Sequence, residues 1–278
     1  MENTLHLYNQ DVVQVAAHRG VSGVNIPCNT IAAYDVALNG GAAIIEMDLF
    51  QSVDGEIFIF HTGKEPFQLD RHINLEKLTS QEIQGLKLVN ADFNETTYGL
   101  NTFDQVLEHL KGRCILNLDR FTTFLPDVIQ KVEAHNMREQ ILLKNAPNWN
   151  FLKEMEEIAP RYMFMPIYKE VDEATERLSR MKINFIGAEL VFRSEQSPIA
   201  RPEYIEKAKE RGFVLWGNAI TYNYKVPLSA GHTDDVSLLE SPEKGWGWLA
   251  DSGFDIIQTD WTYQCAAYLR NRLNINKN

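Results

Sequence analysis

Residues 16–61 read AAHRGVSGVNIPCNTIAAYDVALNGGAAIIEMDLFQSVDGEIFIFH, the densest cluster of chemistry in the chain. An apolar run, VVQVAA, delivers His18, Arg19 and Gly20. A helical segment with Asn29 and Thr30 near its start then leads through Gly40 and Gly41 into a second apolar run carrying Glu46 and Asp48. Alternate residues of a strand share a face, so these two carboxylates should point the same way from the end of a buried strand. Near neutral pH they repel unless a cation or a proton sits between them, and a divalent metal is the simplest answer. The edge GEIFIFH ends in His61, which gathers two histidines, an arginine and a carboxylate pair at one end of adjacent strands.

Outward from this stretch, short apolar runs alternate with amphipathic helical segments, the signature of repeated βα units and a parallel sheet. Strands are predicted at 12–18, 42–49, 114–120, 139–144, 161–167, 183–190, 213–218 and 255–259. Between them lie helical patterns such as TIAAYDVALNG, TFDQVLEHLKG, VDEATERLSRM and SPEKGWGWLADSG, several ending in Gly, as helix ends prefer. Eight such units in 278 residues predict one α/β domain, a TIM (β/α)8 barrel spanning 1–278. Residues 50–101 do not fit the alternation: beyond the edge that ends at His61, a polar, turn-rich tract (about 62–101) reads as an insertion after the second strand. A polar loop from Thr221 to Glu240, with Tyr222 and Tyr224, follows the seventh strand. Active sites of such barrels lie at the C-terminal strand ends, where these loops gather.

Composition narrows the partners. With 27 basic against 38 acidic residues the formal charge is −11, which argues against a nucleic-acid binder. Cys28, Cys114 and Cys265 lack paired or metal-ligand spacing, so no disulfide framework is expected. MENTLHLYNQ has neither a basic region nor a signal-length apolar segment, and no stretch approaches the ~20 apolar residues of a transmembrane helix. A cytoplasmic location is therefore expected, or a periplasmic or secreted one where a leader has been removed. Oligomeric state is left open. His6, His72, His109, His135 and His232 join no constellation and read as helix or loop surface, and Trp246 and Trp248 read as packing residues.

Further candidates cluster at predicted strand ends. Asp119 follows CILNL at the mouth of the third strand, Trp216 and Asn218 end the seventh, and Glu189 on the sixth either faces the mouth or pairs inside the barrel.

Taken in order, His18-Arg19-Gly20, Pro27-x-Asn29-Thr30, Ile45-Glu46-x-Asp48, Asp54-Gly55 and a strand ending in His61 resemble the glycerophosphodiester phosphodiesterase family. LDR at 69–71, LTSQEI at 78–83, NLD at 117–119, LWGN at 215–218 and GFDIIQTD at 253–260 agree with it. The resemblance implies metal-dependent hydrolysis of a small glycerophosphodiester to glycerol phosphate and an alcohol. It also implies one divalent cation held by Glu46, Asp48 and Asp119; all-oxygen ligation suits Mg²⁺ or Ca²⁺ better than zinc. His18 and His61 would share the general acid and base roles, Arg19 would clamp a phosphate oxygen, and Trp216 and Asn218 would line the substrate site, with Glu189 a further substrate-binding candidate from its strand position alone. The nucleophile would be the neighbouring glycerol hydroxyl, giving a cyclic phosphate that water then opens. Two other classes stay open: a phosphate- or polyol-binding barrel without turnover, and a different metal-dependent barrel hydrolase or lyase.

The chain departs from the family pattern at Cys28, at Thr62 and on the third strand. There Asn-x-Glu-x-Lys becomes Asn117-Leu118-Asp119-Arg120-Phe121. Alternation predicts that Phe121 faces the mouth in place of the lysine and that Arg120 points away. Lys144, ending the fourth strand, is then the cation expected to reach the vacated space and bind substrate.

Overall fold

The structure is a computed structural model that describes residues 12–275. Among the described residues twelve strands are formed: β1 Gln14–His18, β2 Ile44–Gln51, β3 Ile57–Ile59, β4 Ile115–Asp119, β5 Ile141–Asn145, β6 Met163–Lys169, β7 Asn184–Phe185, β8 Gly187–Val191, β9 Val214–Asn218, β10 Thr221–Tyr222, β11 Val226–Pro227 and β12 Ile256–Thr259. Parallel pairing runs β1-β12-β9-β8-β6-β5-β4-β2, and β1 pairs with β2 to close the barrel. All of the predicted barrel strands are present. The stretch expected as one strand at 183–190 is split at Ile186 into β7 and β8, both paired to β6. Gly187 lies at that break because a Cβ there would sit 1.9 Å from the Val214 carbonyl oxygen.

Period-two alternation sorts the core into two layers. Inward-facing Ala16, Ile44, Ile115, Leu142, Met163, Met165, Val214, Trp216 and Ile256 fill the barrel. Outward-facing Val15, Ala17, Ile45, Met47, Leu116, Leu118, Leu143 and Ile257 pack under the helices. Each fully buried aliphatic side chain contributes about 1.5–3 kcal/mol, so slipping a strand by one residue, which exchanges these faces, is strongly disfavoured. The VDEATERLSRM pattern yields only the short helix Thr175–Leu178. Helix Thr262–Ile275, which packs on β1 and on helix Ile31–Gly40, has no counterpart in the sequence reading.

The tract after β2 is more structured than its turn-rich composition suggests. β3 pairs antiparallel with β2, and Phe50, Phe58, Phe60, Leu69, Leu75, Ile83, Leu86 and Leu88 form a separate small core. This hairpin fixes His61: Leu49 is opposite Ile59, and the Phe60 N–H donates to the Asp48 carbonyl at 3.0 Å. The 221–240 loop likewise contains the β10–β11 hairpin and helix Asp234–Leu239. No helix among the described residues is long and apolar enough to cross a membrane. Cys28, Cys114 and Cys265 are free thiols, as expected. Trp246 is buried, as a packing residue should be, and His6 lies outside the described residues.

Candidate active site

The mouth is assembled from strand ends that register places side by side. His18 pairs with Glu46 across β1–β2, and Asp48 pairs with Asp119 across β2–β4. Glu46, Asp48 and Asp119 each bring a carboxylate oxygen within 4.8 Å of the others. Glu46 and Asp48 are buried and Asp119 is half-buried. Burial, reinforced by the Asp48 charge, pushes the Glu46 carboxyl up to about 8, and the same two causes raise Asp119. Three acids this short of positive charge are what a hard divalent cation neutralises, so the donor set fits one.

A turn orders the cluster. Thr30 caps helix Ile31–Gly40, its Oγ1 accepting from the Ala33 N–H at 3.2 Å. Asn29 donates through Nδ2 to Asp48 Oδ2 at 2.9 Å and accepts from Tyr34 Oη at 3.1 Å, so a buried Tyr34–Asn29–Asp48 chain fixes that carboxylate's rotation. A Cβ on Gly20, at φ +76°, would lie 2.8 Å from the Ala33 carbonyl carbon, so the glycine is what lets the β1 loop pass this close to helix Ile31–Gly40. Arg19, with φ +59°, donates its backbone N–H to Glu46 Oε2 at 3.0 Å. Its Nε lies 2.9 Å from Asp48 Oδ2, an ion pair whose N–H does not point along the contact.

The two histidines differ. His18 Nδ1 is 2.7 Å from Asp260 Oδ1, and a carboxylate only accepts, so this nitrogen carries the proton. Burial alone would lower its pKa, but the Asp260 hydrogen bond and the Glu46 charge outweigh burial and hold it above the ordinary value. His61 Nδ1 lies 3.0 Å from the Thr62 carbonyl and therefore donates, leaving Nε2 as the acceptor, with Arg120 Nη1 3.4 Å from it. Burial, with help from Arg19 and Arg120 against Asp48, holds the His61 pKa below its ordinary value.

Two expectations about cations are overturned. Phe121 does not face the mouth: it is buried between barrel and helices, edge-on to Phe151 at 5.8 Å. Arg120 does not point away: its Nη2 donates to Thr62 Oγ1 at 2.8 Å and its Nη1 is 3.4 Å from His61 Nε2. The cause is local, because β4 ends at Asp119 and Arg120 takes a left-handed φ of +64°, where strand alternation no longer applies. Lys144 faces the barrel axis as read, yet its charge is already committed. Its Nζ is 2.7 Å from Glu189 Oε2, 3.2 Å from Gln258 Oε1 and 3.7 Å above the Trp216 ring.

Glu189 also accepts from Asn218 Nδ2, so of the two alternatives for Glu189 the structure has the internal pair. Trp216 is fully buried beneath this network rather than at the rim, with Nε1 unpartnered, and Asn218 keeps a buried, unpartnered Oδ1. Among the other histidines, His109 pairs with Asp35, His135 with Asp104, and His232 stacks on Trp248 at 3.7 Å.

Sequence reasoning missed Asp260, Arg120 and Gln258 as members of the site. Asp260 was within reach: in GFDIIQTD, positions 256, 258 and 260 share the inward face of the last strand. Nothing in the sequence signals the turn at Arg120.

Comparisons with known proteins bear on the fold and the kind of relative. A family model described as a domain of unknown function matches residues 164–269. A glycerophosphodiester phosphodiesterase of Bacillus altitudinis is 26% identical over 147 residues, 48% of this chain and 58% of its own length. One from Caldanaerobacter subterraneus is 26% identical over 168 residues, 56% of this chain and 66% of its own length. The matches thus span less than two thirds of either relative. In fold, the chain is similar to a glycerophosphoryl diester phosphodiesterase of Parabacteroides distasonis, with TM-score 0.80, 20% identity and coverage of 97% of this chain and 91% of the other. It is also similar to an Oleispira antarctica phosphodiesterase solved with the product sn-glycerol-3-phosphate, with TM-score 0.63, 19% identity and coverage of 92% and 97%.

Proposed function

We propose that this chain hydrolyses glycerophosphodiesters to glycerol phosphate and an alcohol, with one divalent cation, Mg²⁺ or Ca²⁺, held by Glu46, Asp48 and Asp119. The observation that carries the reading is the convergence of these carboxylates with His18, His61 and Arg19 at one barrel mouth, in a chain similar to phosphodiesterases of that kind. When bound, the cation supplies charge neutralisation at a phosphoryl oxygen and acidifies a nearby hydroxyl.

The chain's own groups divide the remaining work. His61, neutral and with its Nε2 lone pair toward the mouth, takes the proton of the attacking glycerol hydroxyl. His18, protonated against Asp260, gives a proton to the leaving alkoxide. The two exchange roles when water opens the cyclic phosphate. Arg19 donates to a non-bridging oxygen. Arg120 leaves His61 Nε2 as substrate enters and becomes a second donor to the phosphate, in place of the cation expected from Lys144.

The test is a hydrolysis panel of glycerophosphodiesters, cyclic phosphates and aryl phosphodiesters, with and without Mg²⁺ or Ca²⁺. Cation-dependent release of glycerol phosphate is the expected result. Cation binding without hydrolysis would mean a binding barrel, and activity that survives loss of both histidines would mean a different hydrolase.

A further inference from the structure

His18 is oriented by Asp260, but Asp260 is itself 52% exposed and stands one residue beyond the end of β12. An exposed aspartate at a strand end does not hold one geometry unaided. What holds it is Asp234, a buried carboxylate at the first position of helix Asp234–Leu239, in the loop that follows β9. Asp234 Oδ2 accepts the Asp260 backbone N–H at 2.9 Å. Its Oδ1 accepts Thr259 Oγ1 at 2.6 Å and the indole Nε1–H of Trp246 at 2.7 Å. Thr259 Oγ1 in turn accepts the Trp261 N–H at 2.9 Å, so residues 259, 260 and 261 are all tied to one carboxylate. The Asp234 N–H donates to the Ala219 carbonyl at 2.6 Å, which joins the loops after β9 and β12. Fixed supporting partners of this kind keep a reacting group's orientation from being averaged away.

We propose that Asp234 is a positioning residue for the reaction: by fixing the backbone at Asp260 it sets the rotation of the His18 imidazole and keeps the proton on Nδ1. Its kinetic consequence rests on the phosphodiesterase reading; its structural consequence does not. Asp234→Asn keeps shape but puts an amide N–H against either the Asp260 N–H or the Trp246 and Thr259 donors, so the clamp is broken on one side.

The experiment uses the full chain labelled with ¹⁵N-histidine, the His18 resonances being assigned by their loss in His18→Gln. In Asp234→Asn the Nδ1 proton signal of His18 is expected to broaden or shift toward that of Asp260→Ala. Turnover on the responsive diester should fall about tenfold, with KM within about twofold, because a misplaced catalytic group costs rate rather than ground-state binding. Combined with Asp260→Ala, the Asn variant should cause no further loss. An unmoved His18 resonance, or a full additional tenfold loss in the double variant, overturns the proposal, since a purely structural residue would act additively. If wild type hydrolyses nothing on the panel, the functional reading fails while the His18 resonance still decides this one. If Asp234→Asn does not fold, Trp246→Phe removes one of the three donors. It should move the same resonance less and in the same direction, and no movement there overturns the proposal.

Discussion

The two halves of the barrel interior handle buried charge in opposite ways. On β5, β8, β9 and β12, Lys144 pairs with Glu189, Asn218 and Gln258 hydrogen-bond to that pair, and the ammonium rests on the Trp216 ring. On β2 and β4, Glu46, Asp48 and Asp119 converge with Arg19 as their nearby counter-ion. The first network balances its charges, Lys144 against Glu189, while Asn218 Oδ1 and Trp216 Nε1 beside the pair stay unpartnered. The second keeps a carboxyl at about 8, because burial first and the Asp48 charge second outweigh the nearby His18 and Arg19. A charge-paired network supports shape, and an unpaired one of this composition is the one proposed to take up a cation.

The sharpest way to break that comparison is Glu46→Gln. Because Glu46 without a cation stays largely protonated near neutral pH, glutamine imitates that state and the fold should survive. Cation binding should be lost and turnover should drop about three orders of magnitude or more, the several kcal/mol a metal supplies to charge stabilisation. Wild-type cation affinity by calorimetry would show that the two halves do not differ as described.

Next in size are His18→Ala and His61→Ala. Each should lower turnover by roughly two to four orders of magnitude, the range of general acid–base catalysis, with calorimetric cation affinity retained. Near-full activity in His61→Ala on a substrate with a poor leaving group would remove His61 from the chemistry.

The charge-paired half is tested by stability instead. Lys144→Met leaves Glu189 buried beside an apolar stem and should cost about 3–5 kcal/mol in denaturant unfolding. Lys144→Met with Glu189→Leu should recover most of that. Lys144 and Glu189 act on Asp119 with opposite sign, so cation affinity should stay unchanged in the double variant, and a loss there would show that the halves are joined by more than this balanced pair.

The smallest effect is a pH dependence. The Glu46 pKa is raised on folding, so without a cation the folded state binds this proton more tightly than the unfolded one. That contribution favours folding at low pH and is lost as pH rises through about 8. Cation binding expels the proton, so apparent Kd should weaken by about tenfold per pH unit below the Glu46 pKa. The rise in melting temperature on adding Ca²⁺ or Mg²⁺ should accordingly be larger at higher pH. A pH-independent Kd would place the ion elsewhere.

The sequence by itself determined whatever depends on local backbone period. Alternation within one strand put Glu46 and Asp48 on a common face, and Asp119 on the matching face of β4, whatever the rest of the chain did. The βα alternation gave the barrel, and its closure then brought the predicted strand ends to one mouth. Tertiary structure alone decided the partners. His18 and Asp260 stand 242 positions apart and meet because closure puts β1 beside β12. Lys144 reads as a free cation until the barrel presents Glu189 to it from a strand that is not its neighbour. Arg120 and Phe121 exchange their expected directions because the two-residue period belongs to the extended backbone, and that backbone ends at Asp119.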